Sequence, residues 1–151
     1  MTTPQQRWES RHREAAQKTT PEPAPFLIES FPLLPAPHAR SRAVDLACGA
    51  GHNAVWLAER GWPVVAVDYA PAALARAAAH AAARSIPAEL RALRNPPQRF
   101  SGILLVEADL ETLALPPSAF DLILCFQYLD REAFPSIERA LAPGGSLVFE
   151  T

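Results

Sequence analysis

Beyond residue 41 the chain alternates between two hydrophobic textures: short, predominantly apolar runs, and longer stretches in which apolar residues recur every three to four positions. These short runs are Ala43 to Ala47, Pro63 to Asp68, Ile103 to Glu107 and Phe120 to Phe126, with Ser146 to Thr151 as a fifth. Each is short, apolar and bounded by turn residues, which is the signature of a strand buried on both faces. Between them, His52 to Arg60 suits a helix with Ala54, Leu57 and Ala58 facing inward, and Gly61 is placed to end it. Pro71 to Arg84 is an alanine-rich helix whose polar stripe is Arg76, His80 and Arg84, at i, i+4 and i+8. Glu132 to Leu141 is helical, with Pro135 limiting its first turn and Pro143 to Gly145 ending it. Ser85 to Gly102 reads as an insertion-like loop, longer than the usual connection of about 2–6 residues.

Residues 1 to 40 have a different character. Pro21, Pro23, Pro25, Pro32, Pro35 and Pro37 crowd one stretch and rule out a sheet there, leaving a flank of short pieces. Arg7 to Lys18 is charged around Trp8 and predicts a helix. Phe26 to Leu34 carries apolar residues at 27, 28, 31 and 34, the spacing of a short docking helix with Pro25 in its first turn.

Strands alternating with helices predict an α/β fold: a parallel sheet covered on both faces. Right-handed crossovers make it doubly wound, in the strand order 3-2-1-4-5. The ligand crevice of such a sheet lies outside the carboxyl ends of strands 1 and 4, where the winding reverses. Residues 48–51 and 125–128 meet there. The expected division is therefore a proline-rich flank, 1–40, and one α/β domain, 41–151.

Composition narrows the chemistry. With 151 residues, 49% of them hydrophobic and 20% charged, the chain builds one sizeable core. A net charge of −2 argues against a whole-chain grip on nucleic acid or an anionic membrane. No apolar run reaches the roughly 18 residues of a membrane span, and the first residues contain no apolar signal core. A cytoplasmic location is expected. Two cysteines, Cys48 and Cys125, make neither a disulfide framework nor a zinc pattern, so no metal is expected. Both fall near the crevice on adjacent strands, where a thiol pair suits a soft metalloid and a buried small hydrophobe is the commoner role. Arg84, Arg91, Arg94 and Arg99 cluster around the 85–102 segment, but only Phe100 is there to stack on a base, so a solvated loop is expected and nucleic acid is not. His52 begins a helix beside the crevice, while His12, His38 and His80 follow no pattern.

The turn after strand 1 is the most informative segment. Gly49 and Gly51 let the backbone turn sharply and approach a ligand unobstructed. Asp68 ends strand 2, seventeen residues after Gly51, where a carboxylate can accept both hydroxyls of a ribose. As a strand-end residue it is expected to matter little for folding. Gly49 to Ala54 also fits the G-x-G-x-x-A form of a dinucleotide fingerprint, so NAD must be weighed. Asp45 counts against NAD: a carboxylate at the end of strand 1 repels a pyrophosphate and suits a cofactor bearing a sulfonium and an amino group.

With these residues the chain resembles the class I S-adenosylmethionine-dependent methyltransferases. Val44 to Gly51 looks like that family's first motif, Val65 to Asp68 like its second-strand motif, and Glu107 to Leu110 like the segment after the third strand. Phe120 to Cys125 and Leu141 to Ser146 resemble the fourth- and fifth-strand motifs. Ala47 departs from the pattern, standing where many members have glycine. Arg7-Trp8 and the run from Asp45 to Gly61 look most like the tellurite-resistance group of small-molecule methyltransferases.

The resemblance implies a cofactor, S-adenosylmethionine, and a set of roles. Gly49 and Gly51, with Cys48, would let its methionine part lie against the turn, and Asp45 would help order it. Asp68 would hold the ribose and Tyr69 would pack beside the adenine. Asp109 would meet the adenine amino group while the Leu110 backbone contacts the ring edge. Cys125 would border the cofactor and, with Gln127 and Tyr128, floor the site of a small-molecule acceptor, and these residues are not the Asn/Asp-Pro-Pro-Tyr/Phe type that methylates amides or exocyclic amines. An NAD-dependent oxidoreductase and a non-catalytic cofactor-binding fragment are the competing readings. The family usually continues past the fifth strand with a helix and an antiparallel strand pair. The chain is therefore expected to be a truncated domain, self-associating through the exposed edge of strand 5.

Overall fold

The computed structural model describes residues 1–15, 22–92 and 97–151. Six parallel strands form one sheet: β1 (Ala43–Leu46), β2 (Val64–Asp68), β3 (Ala88–Leu90), β4 (Ile103–Glu107), β5 (Phe120–Phe126) and β6 (Leu141–Glu150). Their spatial order is β3-β4-β2-β1-β5-β6. The five expected strands keep the order foreseen for them, and one strand is added outside β4.

The added strand is the main correction. β3 lies inside the 85–102 segment read as a loop, and pairs Ala88 to Leu90 with Ile103 to Leu105. It is three residues long and mostly exposed, so it has no apolar run to betray it. The second correction is at β6, which begins at Leu141 rather than Ser146. Leu141 pairs with Phe120 and Ser146 with Leu122, so the register slips where Pro143, Gly144 and Gly145 are looped out. Gly145 is obligatory here, because a Cβ would come within 2.9 Å of the Ala142 carbonyl oxygen and 3.1 Å of that of Phe120.

Helices α1 (Pro4–Ala15), α2 (Pro25–Ser30), α3 (His52–Ala58), α4 (Pro71–Ala83) and α5 (Phe134–Ala140) surround the sheet. The helix expected over 7–18 begins earlier, and its end, 16–18, lies outside the described residues, as does Arg94. The period-2 alternation divides the core in two. Ala43, Val64, Ala66, Leu122 and Leu124 pack under α2, α3 and α4 with Leu27, Leu57 and Leu74. Val44, Val65, Val67 and Ile123 face the other way, onto Ile137 and Ala140 of α5 and the loops beyond β4 and β5. The flank docks through Phe31, set edge-on to Trp56 with centroids 4.9 Å apart.

Candidate functional site

At the carboxyl end of β1 the backbone turns through Ala47, Gly49 and Gly51, whose φ angles are +56°, +55° and +75°. Ala47 holds the left-handed region with a side chain, which stores strain at the mouth of the crevice. Gly51 is dictated by packing as well as by φ, because a Cβ would meet Ala77 Cβ at 2.7 Å. The turn is fixed from β2: Asp68 Oδ2 accepts from the Gly49 N–H at 2.9 Å and Oδ1 from the Ala70 N–H at 3.0 Å. Asp68 is buried. It therefore shapes the turn and the entry to α4, and its removal touches folding as well as any ligand, contrary to the expectation for a strand end.

Asp45 lies beneath this turn, 1% exposed, and its Oδ2 has no hydrogen-bond partner among the described residues. Burial, then repulsion by Asp68, push its pKa up to about 8, offset in part by the Ala54 backbone. A buried carboxyl with an unmatched oxygen is costly and marks a place where a polar group belongs.

The neighbouring strand ends supply the rest. Gln127 sits at φ +54° just past β5, a second strained residue at the crevice. Cys125 and Tyr128 line a cavity of about 580 Å³ with Leu46, Leu110, Phe134 and Phe149. Glu111, Asp130 and Glu132 also line it, and no Lys, Arg or His does among the described residues. Burial pushes the Cys125 thiol up to about 11 and the Tyr128 phenol up to about 12, the latter helped by Asp130 and Glu111. Both groups are protonated at neutral pH. Asp109 is exposed and uses Oδ1 to accept from the Glu111 N–H at 3.0 Å, so it orders its own loop. Tyr69 stands half-buried beside Asp68.

The two cysteines are separated by the sheet. Cys48 packs in the cluster under α2 to α4 and Cys125 in the one under α5. A two-thiol metalloid site is not formed, and burial drives both thiols away from the thiolate. Among the described residues no group of three or more His, Cys, Asp or Glu is arranged to hold a metal ion. No helix of the described chain is long and apolar enough to cross a membrane. Two of the arginines near the 85–102 segment are already paired, Arg84 with Glu59 at 2.9 Å and Arg91 with Glu89 at 3.0 Å.

One contributor was not legible as such. α1 lies against the site, with His12 Cε1 3.5 Å from where a Cβ on Gly49 would stand. Gln5, Glu9 and His12 share one face of that helix at i, i+4 and i+7, and this spacing is the signal that was available.

The residues suit S-adenosylmethionine on three counts. Asp45 has an unmatched buried oxygen that an ammonium would meet, Asp68 keeps lone pairs that a ribose diol would use after its two backbone bonds, and Gly49 puts no side chain into the turn. A family model described as a methyltransferase domain matches residues 44–149. The S-adenosylmethionine-dependent methyltransferase of Mesorhizobium loti is 31% identical, with a TM-score of 0.60 over 83% of this chain and 52% of its own. A Methanococcus maripaludis protein assigned to the same class is 18% identical, with a TM-score of 0.69 over 99% of this chain and 66% of its own, a likeness of fold. This chain thus spans about half the length of the Mesorhizobium enzyme. Hemagglutinin 1 of Eikenella corrodens is 45% identical over 49 residues, 32% of this chain and 16% of that protein, a stretch too short to bear on activity.

Proposed function

Because the chain belongs to the methyltransferase-domain family, we propose that it moves the S-methyl group of S-adenosylmethionine onto a small acceptor, uncharged or cationic, seated in the cavity beneath Tyr128. The observation that carries this reading is the pairing of Asp68, whose carboxylate orders the Gly49 turn, with the orphaned Oδ2 of Asp45 directly below it. One carboxyl faces a diol and the other an ammonium, and a pyrophosphate has no place beside either.

When bound, S-adenosylmethionine supplies an electrophilic methyl carbon on a sulfonium, and the protein's task is placement. Asp45 exchanges an unmatched oxygen for an ion pair. Asp68 fixes the nucleoside end through the turn it already holds. The cavity excludes water from the acceptor with Leu46, Leu110, Phe134 and Phe149. Tyr128 and Cys125 keep their protons and serve as donors or walls rather than bases, so the proton an acceptor gives up on methylation leaves to the Glu111, Asp130 and Glu132 carboxylates of the lining or to solvent. The acidic lining repels carboxylate and phosphate acceptors.

Calorimetry with S-adenosylhomocysteine and with NADH tests the reading. Micromolar binding of the first and none of the second is expected. The reverse result would make the chain a nicotinamide-binding protein and sink the proposal. A subsequent screen of neutral thiol, phenol and amine acceptors against anionic ones identifies the acceptor class.

A further inference from the structure

α1 is attached in an unusual way. It buries no residue of its own. Its long-range hydrogen bonds, among the described residues, all go to the segment that follows Asp68. Gln5 Nε2 donates to the Tyr69 carbonyl at 2.8 Å, and Glu9 Oε2 accepts from the Ala72 N–H at 2.9 Å, capping the first turn of α4. His12 Nδ1 lies 3.0 Å from Arg76 Nη1.

The last contact settles the state of the imidazole. A guanidinium only donates, so Nδ1 must accept; the ring is neutral and its proton is on Nε2. Burial and the Arg76 charge favour that neutral form, against Asp68 and Glu9 on the other side. Cε1, the atom between the two nitrogens, is the atom that stands over Gly49. Among the described residues the Nε2–H has no acceptor.

The charges around the turn are therefore sorted. Asp45 and Asp68 offer oxygen beneath and beside it, while His12 and Arg76 offer N–H groups from the α1 side. A ligand meeting all four carries an ammonium and hydroxyls toward the first pair and an anion toward the second. The amino-acid half of S-adenosylmethionine has one anionic group, its α-carboxylate.

We propose that His12 is a cofactor-contacting residue, donating from Nε2 to the carboxylate of the methionine half, so that α1 closes over the glycine turn as part of the cofactor site. This rests on the cofactor reading above. Arg76 acts through His12 as a positioning residue, fixing its tautomer.

The test compares two ligands that differ by that half: S-adenosylhomocysteine, which has the amino-acid group, and 5′-methylthioadenosine, which lacks it. In calorimetry, His12→Ala should weaken the first by about 10-fold or more, the span for a hydrogen bond to a charged group. Methylthioadenosine binding should stay within about twofold. His12→Gln, which can both accept from Arg76 and donate onward, should recover most of the loss, whereas Asp68→Ala should weaken both ligands. Loss of both ligands alike in His12→Ala, or of neither, overturns the proposal. If the unaltered chain binds neither ligand, the cofactor reading fails and takes this one with it. Nitrogen-15 spectra of the unaltered protein give a second readout: a protonated Nε2 at pH 7 whose resonance moves with S-adenosylhomocysteine and not with methylthioadenosine. A protonated Nδ1, or equal movement with both ligands, refutes the assignment without any variant.

Discussion

A carboxyl that is fully enclosed and has one unmatched oxygen lowers stability until something polar meets it. Asp45 is in that position, with a pKa raised from an ordinary value of 3.8 to about 8. Below pH 4 the group is protonated in both folded and unfolded chains and costs nothing by linkage. Between pH 4 and 8 the unfolded chain ionises while the folded one keeps its proton. The unfolded state then binds fewer protons, and stability falls as pH rises. Asp45→Asn removes this dependence, so its stability relative to the unaltered chain should grow by roughly 4 kcal/mol from pH 5 to pH 8, at about 1.36 kcal/mol per pKa unit, and level off above. Urea denaturation at the two pH values measures it. The same substitution should weaken S-adenosylhomocysteine, since an amide cannot pair with an ammonium as a carboxylate does. A variant that is less stable at pH 8 than the unaltered chain would show that Asp45 holds the fold together and is not kept for a ligand.

The elements were legible in proportion to how much apolar area each buries. β1, β2, β4 and β5 are predominantly apolar runs, and their positions and mutual order could be read from the chain because burial on both faces leaves no regular polar alternation. β3 could not, since Glu89 and Leu90 are exposed and only Ala88 of its three residues packs against the core. The start of β6 was hidden by Pro143, Gly144 and Gly145, which read as a helix stop and are instead looped out of a strand. At the site, Gly49, Asp68 and Asp45 were readable as a motif, whereas His12 was not. Its role depends on a helix that reaches the segment after β2 through three polar contacts, and the spacing of Gln5, Glu9 and His12 marks a shared face without saying what that face meets. Packing between α3 and α4 gives a prediction at this scale. Gly51→Ala adds a methyl 2.7 Å from Ala77 Cβ at a residue whose φ is +75°. Backbone strain and overpacking together should cost about 2–3 kcal/mol. Adding Ala77→Gly to the variant should return only the clash with the Ala77 Cβ, since the Ala77 Cα would still lie 3.1 Å from the new methyl, and, measured against Ala77→Gly alone, leave the φ part, a split readable in thermal unfolding. Full recovery would mean that φ is not strained there.

Across the whole molecule the sheet is covered unequally. Three helices close one face, while α5 and two loops, 108–119 and 128–133, close the other, and the cavity of about 580 Å³ opens among those loops. The uneven cover has a mechanical consequence. Central strands open only when the whole domain does, whereas loops that bury few apolar groups open locally at small cost. Amides of residues 110–116 and 128–133 should therefore exchange with solvent at least about 1,000-fold faster than those of β1 and β2 in the ligand-free protein. S-adenosylhomocysteine, seated against the Gly49 turn and Leu110, should slow the first loop and leave the second fast, because the second borders the acceptor rather than the cofactor. A true acceptor added afterwards should slow residues 128–133. Hydrogen exchange read by mass spectrometry separates the two steps. If both loops exchange as slowly as β1 before any ligand is added, the cavity wall is as rigid as the core. Access to the acceptor site must then come from elsewhere in the molecule.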